Sequence, residues 1–497
     1  MRFWTTIGLI LVLSAVGLTY EIAAGRVLAP FFGTSLLTWT AVIATVLAGF
    51  SLGSALGGFV AERERAIAAG RVRLALLATA VLMAVSPTVL GTLHAMGVGG
   101  TAGMFLSVVL TFFPASVLVS VPSPFLAKLA IEARPGREGS SLGLVLAAGS
   151  FGAILGAILA GFVALPLIGS AATFAACGAA MLLCLPFVTG RAPGGGAGVE
   201  KDPAASTDSS SGAVVGATAV VLFASLGGSS PCMYESGLSC LVVTRTGGEV
   251  RLYSDGITQA AERLAPEDDR TDPAGLALSY AIWLWARLDR DLRPAPSVLF
   301  IGGGGYTLPE TLLAARPDAQ AVAVEIDPLV TRVVRNEMPR AGAMIERTGA
   351  VADRDDPGGR GRLRIVHADG RVYLNETERR FDAAVLDAFS SNTVPAHLVT
   401  RETFERVREV VDGPVYVNLI DVPDGPLTRG VHAILRELYP HVEAVRGPSG
   451  SSGRINVLLA AARRPFVALD TLPDGYAPAR ISPGRAFTDD RSWAGHR

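Results

Sequence analysis

Before Gly228 this chain carries seven apolar stretches of membrane-crossing length, and after it the texture becomes that of a water-soluble domain. A spanning helix needs roughly 20 apolar residues, because hydrocarbon offers no partner to an unpaired backbone N–H or C=O. The stretches are Phe3 to Tyr20, Leu36 to Val60, Leu74 to Leu93, Thr101 to Ala127, Ser140 to Leu165, Ala171 to Thr189 and the short Ala213 to Gly228. Only Arg2 precedes the first, and no small-residue cleavage site follows it, so it reads as a retained helix rather than a signal peptide.

The basic residues orient these stretches. Arg63, Arg65, Arg71 and Arg73 follow the second, Lys128, Arg134 and Arg137 the fourth, and Arg191 and Lys201 the sixth. Connections rich in Lys and Arg stay in the cytoplasm, which predicts an inward N-terminus and, after an odd seventh span, a C-terminal domain outside. If the seventh stretch does not cross, that domain is cytoplasmic. Gly49, Gly53 and Gly57, and again Gly152, Gly156 and Ala160, recur at helical spacing and read as close helix packing rather than a transport path. Glu21 and Arg26 follow the first stretch and read as a structural pair near the headgroups. Residues 191–212 are Gly, Pro, Ser, Ala and Asp without apolar period, a flexible loop.

The chain thus divides into a multi-pass helical membrane domain over 1–228, an α/β domain over 229–465 and a polar C-terminal tail over 466–497. Its 497 residues exceed one ordinary domain, and half of them are apolar. A net charge of −1 suggests no nucleic-acid partner. Partners expected from the sequence are the lipid bilayer and a small molecule.

The α/β half begins with a small β-hairpin region, Leu241 to Thr244 and Val250 to Tyr253 around Gly247 and Gly248. Strands follow at Ser297 to Ile301, Ala321 to Glu325, Leu363 to His367, Ala383 to Asp387 and Val415 to Ile420, with a helix at Pro309 to Arg316 after the first. Strands alternating with helices predict a doubly wound, Rossmann-like parallel sheet. The first strand runs into Gly302-Gly303-Gly304-Gly305, which lets backbone approach a ligand. Thr307 stands where the dinucleotide fingerprint wants another glycine, which disfavours NAD. Glu325 ends the second strand, where an acid holds ribose hydroxyls; Asp369, before Gly370, and Asp387 end the third and fourth. Three acids at successive strand ends beside a glycine loop predict a nucleoside pocket of the S-adenosylmethionine-dependent transferase type.

The order of these motifs is similar to that of the spermidine synthase family of polyamine aminopropyltransferases. The resemblance rests on Leu252-Tyr253-Ser254-Asp255-Gly256-Ile257-Thr258-Gln259, Tyr280, the glycine loop, Glu325-Ile326-Asp327-Pro328, His367-Ala368-Asp369-Gly370-Arg371 and Leu386-Asp387-Ala388-Phe389. Tyr20-Glu21-Ile22 and Leu28-Ala29-Pro30 resemble the membrane-fused branch. The resemblance implies transfer of an aminopropyl group from decarboxylated S-adenosylmethionine, bound as a co-substrate rather than a tightly held cofactor, to a polyamine or related amine. It also implies that Glu325 binds ribose, Asp369 the adenine amino group and Gln259 the sulfur side, with Gly302, Gly303, Gly304 and Gly370 around the nucleoside. Asp387 would take the proton of the attacking amine and Tyr280 would orient that amine. An amine is protonated near neutral pH and must lose a proton before it attacks, so the chemistry asks for a base. Soluble members are usually dimers or tetramers, so a homo-oligomer is expected by analogy.

Two departures leave other readings open. The family's glycine loop carries an acid where Gly305 stands, and its second acid after Asp387 is replaced here by Ser390, Ser391 and Asn392. A methyltransferase of the S-adenosylmethionine type shares the sheet, glycine loop and ribose acid. A non-catalytic transporter or sensor that binds a polyamine or nucleoside is favoured by the missing acids and the outward topology. Cys232 and Cys240 would form a disulfide outside the cytoplasm or remain free thiols inside it. The six histidines show no metal-ligand spacing, so no metal is expected, and His397 reads as a loop staple.

Overall fold

The computed structural model describes residues 2–32, 36–189, 216, 218–219, 232–264, 275–351, 361–388, 394–449 and 453–491. Two compact units result, Met1–Pro231 with Glu235–Gly237, and Cys232–Tyr234 with Leu238–Arg497. The loop expected at 191–212 and nearly all of the seventh apolar stretch lie outside the described residues.

The first unit is helical: α1 (Phe3–Phe32), α2 (Leu36–Ala61), α3 (Arg65–Ala95), α4 (Gly100–Ser120), α5 (Pro122–Glu132), α6 (Glu138–Ile158) and α7 (Leu165–Cys184). Among the described residues, five helices are long and apolar enough to cross a membrane. The fifth, Glu138–Phe187, joins the predicted fifth and sixth stretches through a π-helical turn at Leu159–Ala164, and breaks at Gly169, whose φ is +75°. Large apolar side chains such as Phe59, Leu146, Phe162, Leu167 and Leu183 stay exposed on this unit, a surface suited to hydrocarbon.

Helix α1 packs along α6, and α2 along α4. The glycines explain how closely. A Cβ added at Gly152 or Gly156 would collide with the α1 backbone at Leu11 or Ala15, and one at Gly53 with the Val117 carbonyl of α4. Dispersion contacts and close backbone approach drive such pairings where apolar burial contributes little. At the centre, the fully buried Tyr20 shares a 2.8 Å hydrogen bond with Ser86 and meets Phe112 and Phe174 edge-on.

The first helix corrects one expectation. It does not stop at Glu21 but continues to Phe32, through Gly25 and with Pro30 in its last turn, so Glu21 and Arg26 are buried inside the bundle rather than at its edge. Five helical residues apart, they face different sides of the helix, and Glu21 Oε2 has no hydrogen-bond partner among the described residues. Arg26 Nε instead donates to the Ser236 carbonyl within the same unit.

The second unit opens with a four-stranded sheet, β1 (Tyr234–Glu235), β2 (Cys240–Thr246), β3 (Glu249–Ser254) and β4 (Ile257–Arg263). The predicted hairpin is β2 and β3, antiparallel with Val243 opposite Leu252. Cys232 and Cys240 are joined by a disulfide. After α8 (Ser279–Asp291) comes the main sheet: β5 (Ser297–Ile301), β6 (Gln320–Glu325), β7 (Gly349–Val351), β8 (Leu363–His367), β9 (Ala383–Leu386), β10 (Val415–Asp421), β11 (His441–Arg446), β12 (Ile455–Ala462) and β13 (Ala477–Pro478). Its order is β13-β11-β12-β10-β9-β5-β6-β8-β7, parallel from β10 to β7 and antiparallel beyond β10.

Alternation along β5 shows why helices cover both faces. Val298 and Phe300 enter one core with Trp283 and Leu284 of α8, whereas Leu299 and Ile301 enter the other. On the first face lie α9 (Thr307–Ala315), α10 (Pro328–Glu337) and α11 (Pro339–Thr348); on the second lie α12 (Gly370–Glu376), α13 (Arg401–Val410) and α14 (Pro426–Leu438). β5 therefore has β6 on one side and β9 on the other. Strand order reverses there, and ligands of such sheets bind outside the carboxyl ends at that point.

The stretch expected as a polar tail packs onto both cores as far as it is described. Phe466, Leu469, Leu472 and Tyr476 lie against one core, and Ile481, Ala486 and Phe487 against the other.

Candidate active site

The glycine loop leaves β5 at the switch point. Gly302 has φ +94° and Gly304 φ +49°, left-handed conformations that favour glycine, and a Cβ on Gly302 would strike the Asp387 carbonyl. Tyr306 follows with φ +56°, fully buried, its hydroxyl 2.6 Å from Thr331 Oγ1.

Glu325, at the end of β6, is buried and turned onto this loop. Its Oε2 accepts from the N–H groups of Gly303 at 3.0 Å and Gly304 at 3.2 Å, and its Oε1 from Asp327 N–H at 2.9 Å. Burial pushes this carboxyl up to about 7, against the pull of the three amides. Asp369, after β8, caps α12 by accepting from Arg371 and Val372 N–H, and its Oδ2 lies 2.8 Å from His397 Nε2. His397 is therefore a staple onto Asp369. Gly370 faces inward, where a Cβ would press on Ile301.

Asp387 follows β9. A cavity of about 140 Å³ opens beside it, lined also by Gln259, Tyr280, Gly304, Asn418 and Asn456, with Ile257, Thr258, Leu278 and Ile420 completing the wall. Burial pushes Asp387 up to about 6, while Asn418 and the Tyr280 hydroxyl favour its charged form. Burial, then the neighbouring Asp387 charge, keeps the Tyr280 hydroxyl protonated. The single proton of that hydroxyl is shared between Asp387 and the Gln259 carbonyl, 3.3 Å away.

Four of the predicted residues, Gln259, Tyr280, Gly304 and Asp387, thus share one cavity. Gly302, Gly303 and Glu325 shape the adjoining loop, whereas Asp369 and Gly370 lie at the next strand end and do not line the cavity. Sequence reading missed Asn418 and Asn456. The signal was present, since each is a lone amide within a largely apolar run, 415–420 and Ile455–Ala462. Phe389 and the Ser390, Ser391 and Asn392 segment lie outside the described residues.

The structure accounts for Gly305. A Cβ there would collide with the Ala260 methyl of β4 and lie 3.2 Å from the Met338 sulfur. No acid fits in this backbone position.

No family model matches the chain. Over 123 residues it is 32% identical to a polyamine aminopropyltransferase of Korarchaeum cryptofilum, covering 24% of this chain and 34% of that protein. Over 163 residues it is 28% identical to a polyamine aminopropyltransferase of Chromobacterium violaceum, covering 32% of this chain and 55% of that one. The crystal structure of a probable spermidine synthase from Corynebacterium glutamicum is similar over 52% of this chain and 95% of its own, with a TM-score of 0.42 and 18% identity. The chain spans about a third of the length of the first of these relatives and about half of the second.

Proposed function

We propose that the second unit is a spermidine synthase-like aminopropyltransferase, held at a membrane by the helical first unit. The observation that carries this reading is Asp387 at the switch point, in one small cavity with Tyr280 and Gln259 and next to the glycine loop. The aminopropyltransferases similar to stretches of this chain support the donor class.

In this reaction the amine nitrogen attacks the methylene beside the sulfonium of decarboxylated S-adenosylmethionine. The C–N bond forms, the C–S bond breaks, its electron pair returns to sulfur and neutral methylthioadenosine leaves. The proton shed by the amine goes to Asp387, which is ionised above about pH 6. Tyr280, protonated throughout, holds the carboxylate and the incoming nitrogen in line. Glu325 keeps the loop amides ordered and offers its remaining lone pairs to ribose, and Asp369 meets adenine on displacing His397. Among the described residues lining the cavity, Asp387 is the one carboxylate, which suits a small amine making a single charged contact.

The test is incubation of the full chain with decarboxylated S-adenosylmethionine and a panel of mono- and diamines, with product analysis by mass spectrometry. An aminopropylated amine and methylthioadenosine are expected. Methylated product from S-adenosylmethionine would make the protein a methyltransferase. The second reading, binding without turnover, draws on the closed packing at Gly305 and on the outward orientation inferred below, which faces no cytosolic donor pool, and nucleoside affinity with no product would establish it.

We infer further that the second unit faces an oxidising compartment. The Cys232–Cys240 disulfide supports this, since such bonds persist outside the reducing cytosol, and so does the basic bias of alternate helix connections. Labelling of intact cells with a membrane-impermeant maleimide after impermeant reduction should mark these cysteines; protection from label would put the unit inside.

A further inference from the structure

Asp387 is not held by the active-site residues alone. Asn418 Nδ2 donates to Asp387 Oδ1 at 2.9 Å, and Asn456 Nδ2 donates to Asn418 Oδ1 at 3.0 Å. The sheet register builds this line. Leu386 pairs with Val417, so Asn418 comes level with Asp387 one residue past the end of β9. Across the antiparallel pair, Asn418 is opposite Leu458 and Ile420 opposite Asn456, which puts Asn418 and Asn456 diagonally on the same face.

We propose that Asn418 and Asn456 form a polarity-fixing relay that positions Asp387 as the base, an inference that rests on the transferase reading. An ionised carboxylate only accepts hydrogen bonds, so Asn418 must present its NH2 to Asp387. Its carbonyl then faces away, and the group meeting that carbonyl must be a donor, which Asn456 supplies. An Asn is otherwise free to turn its amide over; Asn456 removes that freedom from a distance. Oδ1 of Asp387 is thereby occupied, and Oδ2 is left to take the amine's proton. Both amides are positioning residues, and Asn456 acts only through Asn418. The main-chain carbonyl of Asn456 accepts from Gly447 N–H at 2.8 Å, which holds its backbone in register, and the glycine leaves room for the Tyr476 ring.

The ionisable groups facing Asp387 are few. Tyr280 comes from α8, with Tyr476 acting on that hydroxyl from the C-terminal segment; among the described residues of the cavity wall no other group carries charge. Loss of a donor to the charged form therefore raises the proton affinity of Asp387; Glu325 on the adjoining loop, pushed up to about 7, titrates in the same range, and subtraction of the Asp387→Asn signal separates the two.

The experiment uses the full chain with Asn418→Leu, Asn456→Leu and both together, Leu keeping the Cγ branch of Asn while removing both polar atoms. Two readouts are taken: the acid limb of the pH–turnover profile, and infrared titration of the Asp387 carboxyl by difference against Asp387→Asn. Asn418→Leu is expected to move the midpoint upward by about one pH unit, the effect of losing one hydrogen bond to a charged group. Asn456→Leu should move it less, in the same direction, and the double variant should match Asn418→Leu alone. A thermal midpoint and circular dichroism spectrum close to the wild type in all three show that the fold is intact. An unmoved midpoint in Asn456→Leu, or additive shifts, would overturn the relay. If the wild type shows no turnover, the infrared titration still tests the relay, so the two readings fail separately.

Discussion

Glycine does opposite work in the two units. In the helical unit Gly53, Gly152 and Gly156 sit where an added Cβ would enter a neighbouring backbone, so the absent side chain is what allows two helices to touch. In the sheet unit Gly304 has nothing but the Gln259 carbonyl at 3.8 Å, and its absent side chain leaves a cavity wall open to a ligand. Gly305, one residue on, belongs with the first group: it is closed by Ala260 and Met338. The departure from the aminopropyltransferase pattern at this position is thus a packing decision, and the loop lies closer to β4 than an acid would permit.

The largest expected effect concerns the open side of that comparison. Asp387→Asn should lower turnover by about 10²- to 10⁴-fold, the usual worth of a general base, while leaving nucleoside binding intact. In the wild type, turnover should rise with pH through about 6, because burial raises the Asp387 carboxyl and only its ionised form accepts the proton. A flat profile between pH 5 and 7 (about one unit either side of that midpoint) would remove Asp387 from the role. Next in size, Glu325→Ala should weaken methylthioadenosine binding by about 1.5–3 kcal/mol, read by calorimetry well above pH 7 where the carboxyl is ionised, since it removes a charged acceptor and releases the loop amides.

Two further substitutions sharpen the contrast between closed and open glycines. Gly305→Asp and Gly53→Leu should each cost about 1–3 kcal/mol of stability by overpacking, seen as lowered thermal midpoints of the purified chain. Gly305→Asp should bring no gain in donor affinity; a gain would show that β4 can yield. The smallest effect is expected for Gly304→Ala, where space is free and only the left-handed φ of +49° is strained, at about 1 kcal/mol.

Much of the scaffold was legible in the chain. The five central strands were readable because buried parallel strands are continuous apolar runs, and Gly302 to Gly304, Glu325, Asp369 and Asp387 were readable as polar punctuation at their ends. Helix α1 was read too short because Glu21 interrupts the apolar run, although a charge inside a bundle does not end a helix when its neighbours bury it. Strand β11, the edge strand β13 and the packing of Phe466 to Phe487 were not legible, since β11 and the C-terminal segment are mixed in polarity and β13 is only two residues long.

What the sequence by itself determined is the division into an apolar helical half and an α/β half, the alternation of strands and helices in the latter, and the residue types at the strand ends. Those follow from local hydrophobic period and from backbone chemistry at strand ends. Only the tertiary structure decided that Glu325 ties down the glycine loop, that His397 occupies Asp369, that Gly305 is closed, and that Asn456 and Asn418 line up behind Asp387. Each depends on which side chain comes within about 3 Å of another across the sheet, a distance set by register and packing between segments far apart in the chain.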